Sequence, residues 1–331
     1  MFSIEQTSAL SQIDTELDEL VASGVRLPPA WTLDSDVSSL RDTLKRARRA
    51  RGKSPGLLSL PFIEQDRQIK VRDGTSIAIR VTSPHGPRAK KPGLLMIHGG
   101  GHIVGDLDAG SMVSHTFARL GGVAVTIDYR LAPEHPFPTG IHDSFDALVW
   151  MTQNLADLDV DPRLGFLIAG ESSGSDIALT IAHLWSEQES LPPLTGIYAS
   201  VNSGISRDTV PDRYRDHFFS LDQNAEAPGF TIESLEFIRK NYKPETKSPL
   251  AYPVAFSNHS ALPKTYFQAC GLDPLRDCTL VMEQVWKDAG VPTRLDIYPG
   301  LFHVFWVFDL PISATTKFKR DVEDGIKWLL E

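Results

Sequence analysis

The chain has 331 residues, a formal net charge of −9, 41% hydrophobic residues and 23% charged residues. This length supports one large α/β domain or two modest ones around a sizeable core, and the acidic balance argues against broad nucleic-acid binding, which needs a basic face. No stretch approaches the ~20 apolar residues of a membrane span, charge interrupts the N-terminal segment throughout, and Cys270 and Cys278 are too few for a disulfide framework. A soluble, cytoplasmic protein is expected.

Residues 1 to about 50 read as polar helices, and LRDTLKRARRARGK (40–53) as a solvated basic helix face rather than a nucleic-acid patch. RQIKVRDGTSIAIRV (67–81) alternates apolar and polar residues about Asp73-Gly74, which predicts a hairpin. GLLMIH (93–98) is a continuous apolar run, as in a strand buried on both faces. The pattern then predicts helices near 111–120 and 143–154 and strands at 123–129, 164–169, 195–202, 264–270 and 293–299. A helix should follow from about 173, and another should close the chain near 317–330. Alternating strands and helices imply a mostly parallel sheet with helices on both faces. Residues 206–258 break the alternation and are rich in aromatics, among them Tyr214, Phe218, Phe230, Phe237 and Tyr242. They read as an insertion over the carboxyl ends of the strands, where open α/β sheets bind ligands.

The pattern G-x-S-x-G occurs twice. In GKSPG (52–56) the residue after Ser54 is proline, which has no N–H to offer an oxyanion, so Ser54 fails on chemistry. In GESSG (170–174), Ser172 follows an apolar strand and precedes a helix. Ser173 keeps its N–H, and the flanking glycines permit the sharp turn that exposes a nucleophile.

A serine hydroxyl needs a base, and the base needs an orienting group. Of the histidines beyond the Ser172 helix, His217 and His259 fall in or beside the insertion, whereas His303 follows the final strand. Asp273 follows the preceding strand. Asp before proline also reads as a helix N-cap, so two roles compete for that carboxylate, although its two oxygens could serve both. Asp277 is the alternative acid, one helical turn on. IHGGGH (97–102) supplies successive glycines whose N–H groups can approach an anion. Val104 stands where a G-x-G-x-x-G phosphate loop needs its last glycine, and His98 and His102 flank glycines with no H-E-x-x-H pattern, so neither a phosphate loop nor a metal site is expected.

HGGG (98–101), DYRLAPEHPFP (128–138), GESSG, DPLRD (273–277) and GLFHVF (300–305) occur in the order and spacing of the hormone-sensitive-lipase-like family of α/β-hydrolase esterases. The chain resembles that family from about residue 58 onward. The resemblance implies an α/β-hydrolase core over 58–205 and 259–331, with a helical cap built from residues 1–57 and the insertion 206–258. It implies a Ser172–His303–Asp273 triad and oxyanion donors on Gly100, Gly101 and Ser173. It gives Asp128, Arg130 and Glu134 a structural role. The family pattern is usually G-D-S-A-G-G followed by Asn, so Glu171, Ser173, Ser175 and Asp176 are departures, and the Ser173 hydroxyl is expected beside the nucleophile.

The expected reaction is hydrolysis of short-to-medium acyl esters with no metal or organic cofactor, speeding up as His303 loses its proton. His102, Phe302 and Trp306 are the expected pocket residues. Two other readings stay open: a lactonase, amidase or deacetylase on the same machinery, and a non-catalytic receptor. Plant gibberellin receptors resemble the family but lack the triad histidine, which is present here. The expected partner is a small ester. A monomer is expected, or a homodimer through the edge strand 293–299.

Overall fold

The computed structural model describes residues 2–51, 61–86 and 89–331. The pentapeptide GKSPG and the expected boundary after residue 57 lie outside the described residues.

Three helices lead the chain: α1 (Ile4–Ala9), α2 (Thr15–Ala22) and α3 (Val37–Arg51). The hairpin forms as β1 (Phe62–Lys70) and β2 (Ser76–Pro84), with Gly74 at a left-handed φ of 83° in the turn. Strand and helix then alternate through β3 (Gly93–Ile97), α4 (Ser111–Arg119), β4 (Val123–Asp128), α5 (Thr139–Gln153), β5 (Phe166–Glu171), α6 (Ser173–Ser186) and β6 (Gly196–Ser200). The stretch 206–258 carries α7 (Ser220–Gln223) and α8 (Ile232–Tyr242). The alternation resumes with β7 (Thr265–Cys270), α9 (Arg276–Asp288), β8 (Thr293–Tyr298) and α10 (Ser313–Leu330).

The eight strands form one sheet in the order β1-β2-β4-β3-β5-β6-β7-β8. The β1–β2 and β2–β4 pairings are antiparallel and the rest parallel, as the alternation requires. Strands β3, β5, β6 and β7 are buried at every position, which explains their unbroken apolar runs. Successive residues feed opposite faces. Leu94 and Met96 pack with Phe117 of α4 and Phe318 of α10, while Leu95 and Ile97 pack with Leu148 of α5, Ile177 of α6 and Met282 of α9.

Three elements have boundaries that differ from the periodicity, and one of the shifts bears on the site. The strand expected over 164–169 runs over Phe166–Glu171, because Gly170 and Glu171 pair with Ala199 and Ser200 of β6. The strand therefore holds the chain rigid up to Ser172. α5 begins at Thr139, a turn earlier than expected, and α10 begins at Ser313.

The basic helix α3 is not a purely solvated face. Arg41 donates to the carbonyls of Ile103 and Ala132 and pairs with Glu134 at 2.8 Å. α3 is thereby tied beside the glycine loop that follows β3. No helix among the described residues is long and apolar enough to cross a membrane.

Candidate active site

Ser172 sits between β5 and α6 with φ 50° and ψ −125°, a strained conformation for a residue with a side chain. The flanking glycines make that turn possible by close packing. A Cβ on Gly170 would lie 2.1 Å from the Gly174 carbonyl oxygen, and one on Gly174 would lie 2.2 Å from the Ile97 oxygen. α6 therefore presses directly on the end of β5 and on the end of β3, and the serine is pushed outward.

Parallel strands bring their carboxyl ends to one edge of the sheet. The loop after β3 carries the glycines, the turn after β5 carries Ser172, and the loops after β7 and β8 carry Asp273 and His303. Ser172 Oγ and His303 Nε2 lie 2.9 Å apart, and His303 Nδ1 and Asp273 Oδ2 lie 2.7 Å apart. With Nδ1 donating to the carboxylate, Nε2 is the acceptor for the serine proton. Both Asp273 and His303 are buried, so the pair works away from water.

The two oxygens of Asp273 serve different partners. Its Oδ1 accepts from Leu275 N at 2.8 Å while Oδ2 faces the histidine. It is not the helix N-cap, however: α9 begins at Arg276 with Leu275 as its cap, and the Asp273 carboxylate closes a tight turn before it. Asp277 points elsewhere. It accepts from Arg276 Nε at 2.7 Å and from the N–H groups of Phe219 and Ser220, and so fastens α9 to the insertion.

The glycine loop and Ser173 converge beside Ser172. Gly100 and Gly101 hold left-handed φ values of 123° and 61°. A Cβ on Gly101 would lie 2.5 Å from Ile238 Cδ1 of α8, so insertion and loop are in contact. The N–H groups of Gly100, Gly101 and Ser173 donate to no backbone carbonyl among the described residues. The Ser173 hydroxyl, expected beside the nucleophile, accepts from His102 N at 3.2 Å and is buried. It braces the loop.

A narrow cavity opens from Ser172 beneath the insertion. His102 lines it, with its ring stacked on Tyr242 at 3.8 Å. Burial, and the neighbouring His98, push the His102 imidazole down to about 3, so it is neutral. Phe302 and Trp306 are placed differently from the expectation. They are not on this wall but sink into the core under the His303 loop, because that loop turns back toward α10 and Trp306 stacks on Phe318 at 3.9 Å. The insertion supplies the wall instead. Phe230 and Tyr242 face the cavity, whereas Tyr214, Phe218 and Phe237 pack into the core. Leu235, Ile238 and Arg239 of α8 and Tyr252 were not anticipated; the i, i+3, i+4 spacing of 235, 238, 239 and 242 was the available signal.

Two buried carboxyls flank the nucleophile. Glu171 accepts from Trp306 Nε1 at 3.1 Å, and Asp176 accepts from Ser203 N at 2.7 Å and from the Ser203 hydroxyl. Burial pushes each up to about 7. The DYRLAPE segment is structural in its contacts. Arg130 pairs with Asp143 and Asp73, each at 2.7 Å, and Glu134 with Arg41. Among the described residues no cluster of His, Cys, Asp or Glu has the arrangement of a metal site.

Comparison with known proteins agrees with this architecture. A family model for the alpha/beta hydrolase fold matches residues 94–307. A versiconal hemiacetal acetate esterase of Dothistroma septosporum is 33% identical over 275 residues, spanning 82% of this chain and 83% of that one. The carboxylesterase NlhH of Mycobacterium tuberculosis is 30% identical over 321 residues, 95% of each chain. Among solved structures, vibralactone cyclase superposes with a TM-score of 0.85 at 27% identity, covering 97% of this chain and 96% of that one. The chain belongs to the hormone-sensitive-lipase-like family of esterase-type α/β-hydrolases.

Proposed function

We propose that the protein is a serine carboxylesterase that hydrolyses small esters with short-to-medium acyl groups. The observation that carries this reading is the continuous chain Ser172 Oγ–His303–Asp273 at 2.9 and 2.7 Å. His303 Nε2 takes the serine proton as Oγ attacks the ester carbonyl. Asp273 holds the imidazole and stabilises its cation. The N–H groups of Gly100, Gly101 and Ser173 receive the negative charge of the tetrahedral oxygen, helped by the N-terminal end of α6. His303 then protonates the departing alkoxide, and water, activated by the same base, releases the acid and restores Ser172.

We read residues 1–57 and 206–258 as a cap over this site. Phe230 lies 4.6 Å from the His303 ring, Ile238 abuts Gly101, and the Leu10 carbonyl accepts from Gly300 N, three residues before His303. The protein would act in the cytoplasm as a monomer or homodimer. The test is turnover of p-nitrophenyl esters from acetate to laurate by the native chain and by Ser172→Ala, with circular dichroism as the folding control. Turnover that vanishes in folded Ser172→Ala supports the reading; undiminished turnover in that variant overturns it.

A second reading keeps the machinery and narrows the substrate to one acetylated or lactone metabolite. The similarity to a versiconal hemiacetal acetate esterase and to vibralactone cyclase favours it. A panel of lactones and acetylated phenols, run beside the simple esters, separates the two.

A further inference from the structure

The insertion 206–258 contains four arginines: Arg207, Arg213, Arg215 and Arg239. Three are exposed and paired, with Asp222, Asp288 and Asp212 at 2.6–2.8 Å. Arg239 is the exception. It is half-buried on the cavity wall, one residue past Ile238 and three before Tyr242, and among the described residues its guanidinium has neither an ion-pair nor a hydrogen-bond partner. Its charge is felt inside the cavity, by the Tyr252 hydroxyl. Phe230, Leu235, Ile238, Ile205 and Leu275 give the wall an apolar part.

One other wall residue can carry charge of the opposite sign, Asp176. Its carboxyl is engaged by the N–H and hydroxyl of Ser203 rather than by Arg239, and burial pushes it up to about 7. It does not neutralise the arginine. A chain of net charge −9 repels anions in general, so an unpaired cation on the wall of the cavity that holds the nucleophile makes a local exception.

We propose that Arg239 selects esters bearing a carboxylate at the far end of an apolar or aromatic spacer. The spacer lies against the phenylalanine, leucine and isoleucine wall, and the carboxylate meets the guanidinium in the planar, two-point geometry that arginine favours. This rests on the esterase reading above and names the substrate class of that same site.

The test compares near-isosteric pairs that differ in charge: 4-acetoxybenzoate against 4-acetoxybenzamide, and mono-p-nitrophenyl glutarate against its primary amide. The first pair puts the anion on the alcohol side and the second on the acyl side. The readout is the ratio of kcat/KM, anion over amide, for each protein. The ratio is independent of any general loss in a variant. The native enzyme should favour the anion in one pair at least. Arg239→Gln should lower that ratio by about tenfold, and Arg239→Lys should recover part of it. Salt should erode the native preference and not that of Arg239→Gln. A native ratio at or below one in both pairs, or a ratio unchanged in Arg239→Gln, overturns the proposal while leaving the esterase reading intact. Failure of a fluorophosphonate to label Ser172, with no ester turned over, would overturn both.

Discussion

Trp306 Nε1 donates to the Glu171 carboxyl at 3.1 Å. One partner immediately precedes Ser172 and the other follows His303 by three residues, so a single buried hydrogen bond joins the nucleophile's turn to the base's loop. Trp306→Phe keeps the stacking on Phe318 and removes the donor. The expected result is a folded protein with kcat lowered by about tenfold, because slack between the two loops widens the Ser172–His303 distance. A wild-type kcat with full stability would show that the bond positions nothing.

The Asp273 carboxylate works through both oxygens. Asp273→Asn preserves volume but presents a donor to His303 or to Leu275 N. The imidazole then loses the partner that fixes its tautomer, and kcat should fall by roughly 10³–10⁴ with substrate binding little affected. A rise in KM comparable to the fall in kcat would mean the cavity had changed instead.

Close packing at Gly174 makes a strong stability prediction. A methyl group there meets the backbone oxygens of Ile97 and His98 at 2.2 and 2.5 Å, and backbone cannot rotate away as a side chain can. Gly174→Ala should cost about 2–4 kcal/mol of folding stability, read from urea denaturation. Gly290→Ala meets nothing within 4 Å but has φ 81°, so its smaller penalty reports backbone strain alone.

Glu171 and Asp176 set a pH dependence whose sign follows from burial. Their folded values are raised to about 7, from 4.5 and 3.8. Between about pH 4 and 7 the folded chain binds more protons than the unfolded chain, so these two groups withdraw stability as pH rises through that window. Glu171→Gln retains an acceptor for Trp306, and Asp176→Asn retains one for Ser203 N. Each should be more stable than the native protein at pH 8, by on the order of 2 kcal/mol, and the gap should close at pH 4. A gap independent of pH would place the effect in packing.

The N-terminal segment is fastened to the site by backbone. Gly300 N donates to the Leu10 carbonyl at 2.7 Å, Asp14 N donates to the Gly300 carbonyl at 3.2 Å, and Arg276 Nη1 reaches Ser11 Oγ at 2.7 Å. Removal of residues 1–14 should lower kcat and melting temperature together, since the loops of Asp273 and His303 lose a shared support. Ser11→Ala, which removes the hydroxyl's bonds to Arg276 Nη1 and to the Gly271 carbonyl, should cost about 1–2 kcal/mol. Full activity in the truncated chain would show that the loops are held without it.

Most of the chain's order could be read locally. The apolar runs of β3 and β5, the Asp73-Gly74 turn and the glycines about Ser172 express strand burial, turn chemistry and backbone freedom within a few residues of themselves. So does the rejection of Ser54, which rests on one proline. The serial positions of Ser172, Asp273 and His303 at strand ends also followed from the alternation of elements. What the tertiary structure alone decided is which side chains face which. Ser172 and His303 are 131 residues apart, and only the register of β5, β6, β7 and β8 brings them to 2.9 Å. Phe302 and Trp306 sit beside His303 in the chain yet belong to the core, while Arg239, far from every motif, faces the cavity. Periodicity and turn residues act over one or two turns of chain, whereas the direction of a loop side chain depends on the layer that packs against it, and that layer comes from distant sequence.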